Sequence, residues 1–125
     1  MSNVAGNGLT WTQVAEVDNA RGVGGVTVFR ASSASTPSSG EITFTHNSVK
    51  PALAFATRIS GGDRTTNDGV EASNTASGGA VSDDDDMLVS LTTVTNGALA
   101  VGLGGQRGSA TFTPGADETE IFESS

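Results

Sequence analysis

GLTWTQVAEV (residues 8–17), GGVTVFRA (24–31), GEITFTH (40–46) and PALAFATRISGGD (51–63) decide the fold class of this 125-residue chain. In each run apolar residues alternate with polar or small ones, the two-residue period of a half-buried strand. Gly, Ser, Pro and Asn separate the runs, and none has the length or spacing of a stable amphipathic helix. The pattern predicts an all-β chain, an antiparallel β-sandwich of jelly-roll type.

Residues 9–17 predict a first strand with Leu9, Trp11, Gln13, Ala15 and Val17 on one face and Thr10, Thr12, Val14 and Glu16 on the other. Trp11, the single tryptophan, is the natural core anchor; the competing role is a stacking platform for sugar. Residues 26–31 carry apolar groups on both faces, as a central strand does. SSASTPSSG (32–40) is a polar loop. Residues 41–45 place Ile42 and Phe44 inward and Glu41, Thr43 and Thr45 outward, with a turn expected at 46–50. Residues 52–59 put Leu53, Phe55, Thr57 and Ile59 opposite Ala52, Ala54 and Ala56, and that flat alanine face suits close approach of another sheet or subunit.

A polar region at about 60–86 follows, with a weak strand possible at 70–73. Residues 87–92, 98–103 and 110–113 predict three more strands, and a last segment at 120–122 can pair at an edge. Asn96-Gly97 is a strong turn signal, and GGQRGS (104–109) predicts a second hairpin. Trp11, Phe29, Phe44, Leu53, Phe55, Val89 and Leu91 are expected in one core. The length fits one domain, 1–125. With five Phe, one Trp and no Tyr the core is left to small aliphatic side chains, so burial stabilises less per residue. Association with other chains, or bound ions, is expected to supplement it.

Charge excludes one partner class. Fourteen Asp and Glu against six Lys and Arg give a formal net charge of −8, and a phosphate backbone is bound by Lys and Arg; nucleic acid is not an expected partner. Lysine occurs once, Lys50, while Arg21, Arg30, Arg58, Arg64 and Arg107 are dispersed and suited to pairing with carboxylates. Scarce lysine, an acidic surface and small core residues are similar to proteins of salt-loving archaea. In molar salt the Debye length falls to roughly 3 Å and self-repulsion is screened. There is no cysteine, hence no disulfide framework or thiolate metal site. No stretch approaches the roughly 20 apolar residues of a transmembrane helix, and the start, SNVAGNG, lacks the basic and apolar regions of a signal peptide. No membrane partner is expected.

Chemistry-bearing residues are few. Asp83, Asp84, Asp85 and Asp86 form the sharpest local feature, a candidate site for Ca2+ or another cation, since calcium takes six to eight oxygen ligands. The spaced Asp-x-Asp pattern with a distal Glu is absent, and a solvated acidic turn is the plainer reading. His46, the single histidine, has no GxSxG elbow to accompany it. Paired carboxylates without an aromatic sugar cleft do not suggest glycoside hydrolysis. GVGG (22–25) and GLGG (102–105) lack the Lys-Ser/Thr and following helix of a phosphate loop. No catalytic set emerges, and a non-enzymatic role is expected.

The block GLTWTQVAEV, GVTVFRA, GEITFTH and ALAFATRISGGD, with TPGADETEIFE at 113–123, resembles a β-sandwich module of structural proteins of tailed viruses of bacteria and archaea. The likeness covers roughly two thirds of the chain and rests on strand and turn signals. It implies a virion structural protein, a head decoration, turret or tail component, that associates with itself as a homo-oligomer and with other virion proteins. A virus of haloarchaea is the setting it favours. Such modules carry a further strand before the Trp strand; here only MSNVAGN stands there, so completion of one edge by another subunit is expected. The alternative class is a lectin-like or receptor-binding module contacting host cell-surface glycan through the long loops.

Overall fold

A computed structural model of the chain describes residues 2–18, 25–46, 52–62, 69–70, 72–75, 89–105 and 113–121. Its regular structure is four strands: β1 (Ser2–Gly6), β2 (Thr12–Asp18), β3 (Gly25–Arg30) and β4 (Ile42–His46). They form two antiparallel two-stranded sheets, β1 with β4 and β2 with β3. No α-helix occurs among the described residues. The chain is all-β.

The first sheet brings Val4 opposite Phe44 and Gly6 opposite Ile42, while Ala5 faces Thr43 and Asn3 faces Thr45. Directly opposed residues share a face, so the alternation expected at 41–45 holds. Val4 is 5 % exposed and is the one buried apolar side chain among the described residues. Phe44 beside it stays 39 % exposed, so this face is oriented as expected but only partly covered. The pair closes tightly at Gly6, whose φ is +120° and where a Cβ would run into the Glu41 carbonyl oxygen. Only glycine meets both conditions without strain.

Gly6 also opens the corner that leads to the second sheet. Its carbonyl accepts the Leu9 N–H at 3.2 Å, and Asn7 and Gly8 between them have φ of 59° and 65°. Two successive positive φ values are the mark of a type I′ turn. Such a turn usually joins a hairpin, yet β1 and β2 lie in different sheets. Here it redirects the chain from one sheet into the next.

In the second sheet Val17 faces Val26 and Ala15 faces Val28, whereas Gln13 faces Phe29. The register shifts between Gln13 and Ala15, which leaves Val14 as the extra residue of a β-bulge. The bulge separates Gln13 from the face of Ala15 and Val17, where strict alternation had placed it. It also puts Gln13 and Glu16, three apart, on one side: the Gln13 Nε2 donates to Glu16 Oε2 at 2.8 Å. In an unbroken strand those two would point to opposite faces.

Several expectations are corrected. Residues 9–11 precede β2, since they lead out of the Asn7-Gly8 corner, which closes at Leu9. A strand does stand before the Trp segment, namely β1, so the partner it gives β4 comes from this chain. His46 ends β4 and starts no turn within the strand. Residues 52–59 and 98–103 are not strands, nor are 70, 72–73, 89–92, 113 and 120–121; the remaining parts of those predicted strands, the 104–109 hairpin beyond residue 105 and the turn at 47–50 lie outside the described residues. The seven expected core residues do not form one core. Trp11 and Phe29 are half-buried, while Phe44, Leu53, Phe55, Val89 and Leu91 are exposed. β3 is a strand as expected, but its partner is β2 alone among the described residues. A two-stranded ribbon has too little surface to build a core unaided.

Candidate functional site

Of the residues singled out for chemistry, His46 lies among the described residues. Asp83, Asp84, Asp85 and Asp86 lie outside the described residues, and among the described residues no group of three or more His, Cys, Asp or Glu is disposed to hold a metal ion. His46 is exposed, across from Ser2 at the end of the first sheet. The exposed carboxylates engage local neighbours: Glu41 Oε1 accepts from Thr43 Oγ1 at 3.2 Å, and Glu118 Oε2 accepts from the Gly115 N–H at 2.8 Å. The second bond closes a turn that the Glu118 N–H also closes onto the Gly115 carbonyl, at 3.2 Å. These carboxylates serve turns and strand surface.

Trp11 is held at the corner. It follows the Asn7-Gly8 corner, and its Nε1 donates to the Gly6 carbonyl at 3.2 Å, the same oxygen that holds Leu9. The ring is half-buried. A sugar platform needs an open ring face and benefits from a free indole N–H; this indole is a brace for the corner.

What the described surface does offer is apolar side chains at strand spacing. Leu53 and Ile59 on one segment, Val89 and Leu91 on a second, and Leu99, Val101 and Leu103 on a third are all exposed, Leu53 to 65 % and Leu99 to 67 %. Each set repeats every second residue or a multiple of it, as residues on one face of a strand do. Two ties position these segments. The Asn74 Nδ2 donates to the Ser90 carbonyl at 2.8 Å, holding 72–75 beside 89–92. At Gly105 a Cβ would lie 2.9 Å from Val26 Cγ2, so the end of the 98–105 segment rests against the face that carries Val17, Val26 and Val28. The candidate site is an exposed apolar surface, built from strand-like segments that have no strand partner among the described residues.

The sequence signal missed in reading the chain was Asn7-Gly8. It has the same turn chemistry as Asn96-Gly97, and with Val4 behind it would have located β1. The Val14 bulge has no comparable signal. No helix among the described residues is long and apolar enough to cross a membrane. Comparison with protein-family models, with curated proteins and with solved structures finds no match to this chain.

Proposed function

We propose that the chain is a non-enzymatic virion structural protein, a head decoration, turret or tail component, whose antiparallel sandwich of jelly-roll type is completed when copies assemble into a symmetric oligomer. The observation that carries this reading is the imbalance of burial among the described residues: one buried apolar side chain, Val4, against eleven large exposed ones. Full burial of a Val, Leu, Ile or Phe is worth about 1.5–3 kcal/mol. Covering eleven that are already partly shielded is therefore worth on the order of 10 kcal/mol, as much as the whole stability of an ordinary domain, about 5–15 kcal/mol. A chain that leaves this much uncovered gains more from a neighbour than from any rearrangement of its four strands.

Three further features support it. The close approach of Gly105 to Val26 supports a second layer formed by the 98–105 segment over that apolar sheet face. The motifs of residues 8–63 and 113–123 resemble the tailed-virus module. The net charge of −8 opposes association of like subunits in dilute salt and ceases to do so in molar salt, which fits a haloarchaeal virus. Trp11, half-buried with its indole N–H engaged, adds no support to the glycan-binding alternative, which rests on the long loops.

Imaging of purified virus particles labelled with an antibody to this chain tests the role. Label repeated with the symmetry of the head or tail is the expected result. Label confined to host cells, with none on particles, would overturn it.

A further inference from the structure

Two Asn-Gly pairs occur among the described residues, and the fold treats them oppositely. Asn-Gly is the dipeptide most open to spontaneous succinimide chemistry because glycine places no side chain beside its own backbone nitrogen. Asn96 is exposed, in a turn closed by the Ala98 N–H to the Thr95 carbonyl at 3.3 Å, with no strand on either side. Asn7 is half-buried, and its Oδ1 is shut off from solvent without a hydrogen-bond partner. Gly40 closes over it: a Cβ there would lie 2.8 Å from Asn7 Oδ1 and 3.6 Å from its Cγ. The Asn7 carboxamide oxygen fills the space that Gly40 leaves by lacking a side chain, and it must leave this seat, closed to solvent, before its carbon can meet the next nitrogen.

We infer that Asn96 is a site of self-modification, deamidating through a succinimide, and that Asn7 is protected from the same reaction by its seat under Gly40. In the reaction the backbone nitrogen of Gly97, having lost its proton to solvent base, attacks Asn96 Cγ. The new C–N bond closes a five-membered ring, and the carboxamide nitrogen departs as ammonia after taking up a proton. Water then opens either ring carbonyl, leaving Asp at 96 or its β-linked isomer. Nothing is oxidised or reduced. Each event adds one negative charge to a chain already at −8, and the β-linked product lengthens the backbone by one methylene between the 89–95 and 98–103 segments. Asn74 serves as an internal control, because its Nδ2 and Oδ1 are both engaged, with the Ser90 carbonyl and the Thr75 N–H, and a threonine follows it.

The test is incubation of the full chain at mildly alkaline pH, in native buffer and in concentrated urea, followed by peptide mass mapping over time. In native buffer Asn96 should convert at least about tenfold faster than Asn7, because Asn7 must first open locally; in urea the two rates should converge, with Asn74 lagging in both. Equal native rates at Asn7 and Asn96 would overturn the protection by Gly40. An Asn96 that converts in urea and stays intact in native buffer would overturn the assignment of the site.

Discussion

Residues 2–46 and residues 52–121 carry the same alternating pattern, and among the described residues only the first set becomes sheet. Turn geometry separates them. At Asn7-Gly8 both central residues have positive φ, and the turn passes the chain from β1 in one sheet to β2 in the other. At Asn96-Gly97 only Gly97 has a positive φ, at 79°, the mark of a type II turn, which splays the strands it joins. The same dipeptide thus makes a strand corner in one half and an unpaired bend in the other. Pairing chemistry differs as well. The first half opposes Val4 with Phe44 and Val17 with Val26, whereas residues 52–56 present an alanine face that gains little from burial. Of the eleven large exposed apolar side chains, all but Phe44 lie in the second half. Alternation specifies a face; it does not supply a partner for the ladder.

The largest expected effect comes from breaking the sheet of the first half. Gly6→Ala places a Cβ against the Glu41 carbonyl at a φ of +120°, and should cost about 3 kcal/mol in urea denaturation followed by circular dichroism, with loss of the β1–β4 pairing. A cost under about 0.5 kcal/mol would show that this pairing contributes nothing to stability.

Next in size is a contrast between one residue from each half. Val4→Ala removes buried methyl groups and should cost about 2 kcal/mol. Leu99→Ala should change the stability of a dilute chain by no more than about 0.5 kcal/mol, as exposed positions do, yet weaken self-association at high concentration. Equal costs at both positions in dilute solution would erase the distinction between the halves.

Phe44→Ala lies between them. With 39 % of the residue exposed, the expected cost is about 1–2 kcal/mol, below the 3–5 of a fully buried phenylalanine. A loss in that upper range, measured in the associated protein, would mean that a neighbouring copy covers the ring.

How far the sequence could be read follows from the same contrast. Three of the four strands were legible because Val26 to Phe29, Ile42 with Phe44, and Ala15 with Val17 alternate cleanly against polar neighbours. β1 was not, since SNVAG holds a single large apolar residue, although the turn after it was written in Asn7-Gly8. The bulge at Val14 was hidden because Gln13 and Val14 fit either face. The single core was over-read: periodicity shows which side of a segment is apolar, and what covers that side depends on long-range or intermolecular contacts that no local pattern encodes. For the candidate site, the alanine face and the alternation are what the association proposed above rests on, Trp11 braces the corner, and Asp83 to Asp86 lie outside the described residues.

Salt should act on both halves. Screening of a net charge of −8 should raise the melting temperature as sodium or potassium chloride goes from low to molar concentration, and a flat or falling trend would remove the halophilic setting.

Light scattering in molar salt over a concentration series, paired with amide hydrogen exchange on the same samples, tests the central claim most directly. Completion of the fold by association predicts a defined oligomer, with amides of residues 89–103 gaining protection as it forms. A stable monomer at high concentration, with those amides already protected, would contradict it.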